Sequence, residues 1–222
     1  AGRRPGARRR HHNRRWRGRH PPEGAGGVSD LLLAAPLRVE ALLIASAARG
    51  ALVRKTGMGP QRAKAAAGEL AAQAGNAMLV LGFCGGLDAG SVPGEVIVAD
   101  QVYAAPDEGH PDERVRCDLM HALVGRLTGR GLKVRTGDVV CVSRLALGER
   151  RAELHAGGAI AVDMESVWLA AGARARPFGV VRIVLDSPAH ELMRPQAAAG
   201  AVRAARALRR AAGALHDWTP GD

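Results

Sequence analysis

Aromatic side chains are scarce: 222 residues hold two Phe, one Tyr and three Trp. Any core must therefore be built from Ala, Val and Leu. Cysteine is almost as rare, and Cys84, Cys117 and Cys141 lie far apart with no metal-ligand spacing, so they read as reduced thiols of a cytoplasmic chain. The eight histidines form no HxH or HExxH pattern, and no metal site is expected. No apolar run reaches the roughly 18 residues that span a bilayer. Dinucleotide and P-loop fingerprints are missing too, since the chain has neither GxGxxG nor GK[ST] after a strand. Acidic residues are absent from residues 1–20, which carry nine arginines.

That last absence explains the charge. The formal net charge is +11, of which nine lie in residues 1–20, so the remaining chain carries about +2 and its bulk charge says little about a partner. Residues 1–27 are rich in Arg, Gly and Pro and have almost nothing to bury, so disorder is expected. An inert extension is the first reading of this arm; contact with RNA or anionic headgroups is the second. A twin-arginine export signal fits poorly, because Asp30, Arg38 and Glu40 interrupt the apolar run that would follow. DNA binding is not expected. The chain is expected to be cytoplasmic, with peripheral membrane contact left open.

The whole chain is 47% hydrophobic, enough for residues 28–219 to build one α/β domain. Leu31–Ala35 reads as a buried strand ended by Pro36, with a helix from Leu37 to about Ala48; Ala51–Lys55 reads as a strand, and Gln61–Ala74 as a helix. Met78–Leu81 is continuously apolar, a strand buried on both faces, followed by a glycine turn at Gly82–Leu87. Strands are expected at Glu95–Val102, Lys133–Arg135, Val139–Val142, Ile160–Val162 and Phe178–Leu185. Helices are expected at Asp118–Arg130, around Leu147–Ala156, after Glu165 to about Arg174, and from Gln196 to Leu215, the last a solvated closing helix. The alternation predicts a three-layer α/β/α domain around a central mixed, mostly parallel sheet.

Three carboxylates, Glu40, Glu165 and Asp186, fall near the carboxyl ends of these strands. One alone is easily structural; Glu40, for instance, suits the first turn of a helix. Several on one face suggest a site where a hydroxyl-rich molecule meets acid–base chemistry. A carboxylate can accept two hydrogen bonds from a vicinal diol, and another, partly desolvated, can protonate a leaving group.

From Leu31 to Ser187 the pattern resembles the nucleoside phosphorylase/nucleosidase superfamily. The resemblance rests on Gly82-Phe83-Cys84-Gly85-Gly86-Leu87 with Gly94–Val98, on Val162-Asp163-Met164-Glu165, and on Arg182–Ser187, in that order. Within the superfamily it is closest to the methylthioadenosine/S-adenosylhomocysteine nucleosidases and the hopanoid-associated phosphorylases. It implies that Asp186 protonates N7 of a purine as the N-glycosidic bond breaks, and that Glu40 activates water. It further implies that Glu165 holds the ribose hydroxyls with Met164 beneath the sugar, that Phe83, Cys84, Gly85, Val140 and Cys141 border the substrate, and that Gly57, Met58 and Gly59 form the loop beside the nucleophile. No cofactor is implied beyond phosphate as a co-substrate, and a homo-oligomer is expected.

Two departures bear on the substrate. Phe83 stands where related enzymes keep a small hydroxyl residue that helps hold the nucleophile, and the chain between Glu40 and Gly57 is short. A wider, more apolar mouth follows, and with it the expectation that adenine is removed from adenosylhopane. A methylthioadenosine/S-adenosylhomocysteine-type nucleosidase is the alternative, and a catalytically inactive nucleoside- or RNA-binding protein is the non-enzyme reading. Arg54, Lys55 and Arg144 are the cations that could assist a phosphate.

Overall fold

The computed structural model describes residues 30–108, 114–191, 197–216 and 218–219. The expected disorder of residues 1–27 and the expected start of the domain at Val28 lie outside them.

Among the described residues the chain runs through eight strands and six α-helices: β1 (Leu31–Ala35), α1 (Arg38–Ala47), β2 (Leu52–Lys55), α2 (Pro60–Ala71), β3 (Ala77–Gly86), β4 (Val96–Ala104), β5 (Arg114–Arg116), α3 (Met120–Gly129), β6 (Val134–Cys141), α4 (Glu149–Ala156), β7 (Ala161–Asp163), α5 (Ser166–Ala170), β8 (Phe178–Asp186) and α6 (Ala197–Ala214). All belong to one mixed sheet with helices on both faces, as the alternation predicts. On one face Ile44 of α1, Leu123 and Leu127 of α3, and Leu208 of α6 pack on Leu33, Leu79, Val98 and Val181. On the other, Leu70 of α2 and Leu169 of α5 pack on Leu32, Val80, Ile97 and Val180. Neighbouring residues in β1, β3 and β8 thus feed opposite layers, which is why these strands are apolar without alternation.

Most pairings are parallel: β1 with β2 and β3, β3 with β8, β4 with β6, and β6 with β7. The antiparallel ones are β3 with β7, and β4 with β5 and β8. Together they close five strands into a ring, β3-β8-β4-β6-β7 and back to β3. Closure is possible because β3 is long: β1 occupies Ala77–Val80 along one edge, and β7 takes Gly85 and Gly86 further along.

That length corrects one expectation. The predicted turn at Gly82–Leu87 is strand through Gly86. The glycines here serve close packing rather than reversal; a Cβ on Gly82 would lie 2.6 Å from Glu40 Oε1 and 2.9 Å from Arg182 Nη1. The strands expected at Lys133–Arg135 and Val139–Val142 are one strand, β6, whose register against β4 shifts between Ala99 and Val102. The edge strand β5, Arg114–Arg116, is not among the strands expected from the sequence, because three residues are too few to show a pattern.

Candidate active site

The carboxyl ends of β1, β3, β7 and β8 meet around a cavity of about 210 Å³. Glu40, Met58, Phe83, Cys84, Gly85, Met164, Glu165 and Asp186 line it, together with Pro36, Leu37, Leu145, Val162, Asp163 and Leu185. Val140 and Cys141 do not. Val140 packs against Tyr103 and Val162 in a small apolar cluster over α4, and the Cys141 thiol donates to Asp163 Oδ1 at 2.9 Å. Gly57 and Gly59 also lie outside the lining.

Glu40 is delivered by the first turn of α1, directly after β1. Only 1% of it is exposed, and its oxygens accept the N–H groups of Leu37 and Phe83, each at 2.6 Å. Burial raises its pKa above the usual carboxylate range, although Arg182 and the two N–H donors oppose the rise. Glu165 stands just before α5. Its Oε1 accepts the Gly59 N–H at 2.9 Å, and Gly59, with φ of 90°, holds a backbone conformation that favours glycine. The loop expected beside the nucleophile therefore directs its amide at the carboxylate read as the ribose holder. Burial pushes Glu165 up to about 7, helped by the nearby charges of Asp163 and Glu40 and opposed by Arg182.

Arg182 holds this group together from beneath. It is fully buried in β8, with Nη2 at 2.6 Å from Asp163 Oδ2 and 3.6 Å from Glu165 Oε2. Nη2 also donates to Ser166 Oγ at 3.0 Å, and Nη1 donates to the Phe83 carbonyl at 3.3 Å. Burial works against its charge, yet Asp163, Glu165 and Glu40 keep it firmly protonated. Burial alone would likewise raise Asp163; Arg182 and the Cys141 and Ser166 donors hold it below the usual range.

Asp186, at the end of β8, has its own arginine. The Arg151 guanidinium of α4 donates to Asp186 Oδ2, while Arg151 Nε bonds the Ala146 carbonyl at 2.8 Å. Both side chains are nearly inaccessible, at 3% and 5%. Burial still leaves Asp186 above the ordinary aspartate range, since it outweighs Arg151.

The sequence assigns no role to Arg182, Asp163, Ser166 or Arg151, although Asp163 and Arg182 stand inside the motifs that carry the resemblance. A signal existed for Arg182: an arginine inside Phe178–Asp186, otherwise apolar until its last residue, demands buried acids as partners. Arg151 had none, because on a helix reading ERRAELHA one arginine looks like its neighbours. Among the described residues no arginine or lysine lines the cavity. Arg54 is turned to the Gln73 side chain, and Arg144 belongs to a separate surface hollow with Asp107 and Glu108.

A ring-closed mixed sheet between two helical layers, with acids gathered at its strand ends, defines a class of α/β proteins that bind small molecules there. The sequence profile of the phosphorylase superfamily matches residues 41–214, and the chain belongs to that superfamily. It is 31% identical over 169 residues to AMP nucleosidase from Escherichia coli K12, a match covering 67% of this chain and 35% of that protein. This chain thus spans about a third of that relative's length. Among solved structures it is similar to 5′-methylthioadenosine/S-adenosylhomocysteine nucleosidase from Campylobacter jejuni, with a TM-score of 0.71, 13% identity, and coverage of 86% of this chain and 100% of that one. The Helicobacter pylori futalosine hydrolase gives a TM-score of 0.67 and 15% identity, covering 85% of this chain and 96% of that one. These two likenesses concern the fold.

Proposed function

We propose that this chain cleaves the N-glycosidic bond of an adenine nucleoside by hydrolysis. The observation that carries the reading is the convergence of Glu40, Glu165 and Asp186 on one cavity that has no cation in its described lining. Asp186 donates a proton to N7 of the purine as the C1′–N9 electrons return to the base. Glu165 accepts hydrogen bonds from the ribose hydroxyls, and Met164 packs beneath the sugar. The ribosyl cation is captured by water, whose proton passes to Glu40. A carboxylate whose pKa is raised by burial is the stronger base for that step. Within this cavity phosphate dianion would meet acids, the cations Arg62 and Lys64 belonging to a separate hollow that also includes Met58, which favours water as the nucleophile.

The same lining bears on the 5′ group. Pro36, Leu37, Met58, Leu145 and Leu185 give the cavity apolar walls, which suit an uncharged 5′ substituent better than the phosphate of a nucleotide such as AMP. Adenosylhopane is the first substrate to try and methylthioadenosine the second. The test is chromatographic detection of free adenine from adenosylhopane, methylthioadenosine and AMP, with and without phosphate, beside Asp186→Asn. Release from either of the first two that needs no phosphate and falls about 10²–10⁴-fold in the variant supports the reading. Release from AMP alone, or equal release by the variant, overturns it.

A further inference from the structure

The near-neutral balance of the folded part conceals a one-sided distribution. The closing helix α6 was expected to be merely solvated. It packs Ala204, Leu208, Ala211 and Ala212 into the core and presents Arg203, Arg206, Arg209 and Arg210 outward, all exposed. Beside it, Arg130 and Lys133 stand exposed at the end of α3. The two groups adjoin, since Arg210 donates to the Gly131 carbonyl at 3.3 Å and Arg126 to the Ala214 carbonyl at 2.6 Å. No Asp or Glu occurs in residues 119–137 or 197–216. The only acid on α1, which packs along the other flank of α6, is the buried Glu40. None of the six cations forms an ion pair with a carboxylate among the described residues. Of the exposed acids among the described residues, Glu69, Asp107, Glu149 and Glu153 lie outside this helical layer, and Asp118 precedes α3, at the opposite end of that helix from Arg130 and Lys133.

We infer that the outer face of the α1/α6/α3 layer seats the protein on an anionic bilayer surface. A row of cations without acids matches a field of phosphate headgroups, attraction to which rises with each added Lys or Arg and is screened by salt. Apolar side chains stand in the same layer, Val39 and Leu42 on α1 and Val202 on α6, each at least half exposed. They are of no use against a nucleic-acid backbone, but suit the boundary between headgroups and acyl chains. No aromatic ring is among the large hydrophobic side chains exposed in the described residues, so single-stranded RNA would find no stacking platform. A second copy fits poorly, because a two-fold contact would set one acid-free cationic face on another. The inference rests on this charge layout and is independent of the proposed reaction.

The experiment is co-sedimentation of the full chain with vesicles of phosphatidylcholine alone or mixed with phosphatidylglycerol, at low and high salt. Arg203, Arg206, Arg209 and Arg210 are replaced together by Gln in one variant, and the arginines of residues 1–20 by Gln in another. The face predicts about ten-fold or greater preference for the anionic vesicles at low salt, lost at high salt. That preference should be retained by the arm variant and reduced about ten-fold or more in the α6 variant. The α6 substitutions are on exposed positions, so circular dichroism and adenine release from a soluble nucleoside should not change. Loss of vesicle binding in the arm variant alone overturns the proposal, as does equal binding to both vesicle types. Stronger binding to a single-stranded RNA than to vesicles at equal phosphate, abolished by the α6 substitutions, overturns it in favour of a nucleic acid.

Discussion

Buried arginines set the terms on which the acids of the cavity exist. Replacing Arg182 by Met leaves Asp163, Glu165 and Glu40 facing one another without their cation; a loss of about 3–5 kcal/mol in urea unfolding at neutral pH is expected. Acidification should restore part of it, as the carboxyls protonate. Arg151→Met removes the partner of Asp186 and should push that carboxyl further up, so any limb of the pH–rate profile due to Asp186 moves to higher pH. Glu165 gives a sign that can be worked through. Its folded pKa of about 7 exceeds the unfolded value near 4.5, so between these the native state binds more protons. Its contribution to stability is complete below pH 4.5 and is lost as pH rises towards 7 and through it. Urea titrations of Glu165→Gln across that window should show a flatter pH dependence than the parent. At this scale Glu40, Glu165 and Asp186 were legible, because each carboxylate follows an apolar strand in the sequence. Their arginines were not, since pairing across 19 residues from Arg182 to Asp163, or 35 from Asp186 to Arg151, depends on which strands become neighbours.

Strand β3 shows how an element can carry a site that its residues seem to interrupt. A run of small residues after Leu81 reads locally as a turn, yet it continues as strand because β8 lies alongside it from Met78 to Gly85. Tertiary pairing decided what local preference could not. The consequence is testable at Gly82. An added Cβ would meet the Glu40 carboxylate, which two backbone donors hold in place, so it has little freedom to retreat. Gly82→Ala should therefore cost about 1–3 kcal/mol by urea unfolding and reduce adenine release more than an exposed control such as Gly68→Ala. The helices were easier to read. Their ends were set within a few residues by Pro36, Pro60 and glycine-containing loops, and α6 by alanines and leucines recurring on one side.

For the whole molecule, ring closure places β3, β8 and β4 at the centre, each hydrogen-bonded along both edges, whereas β2 and β5 each have one neighbour. Native-state hydrogen exchange should be slowest at Val80, Val98 and Val181 and several orders of magnitude faster at Arg54 and Val115. The layer arrangement was legible from alternation alone; ring closure was not, because it depends on β7, three residues long, turning back on the far end of β3. The two open edges have a further consequence. β2 reads Leu-Val-Arg-Lys and β5 Arg-Val-Arg, so each is short and carries two cations. A strand from another molecule would have to pair beside those charges over four residues or fewer, which leaves little template for fibre growth. A core of alanine, valine and leucine strands, strongly prone to aggregate if laid bare, is thus bordered on both sides by strands that resist being extended.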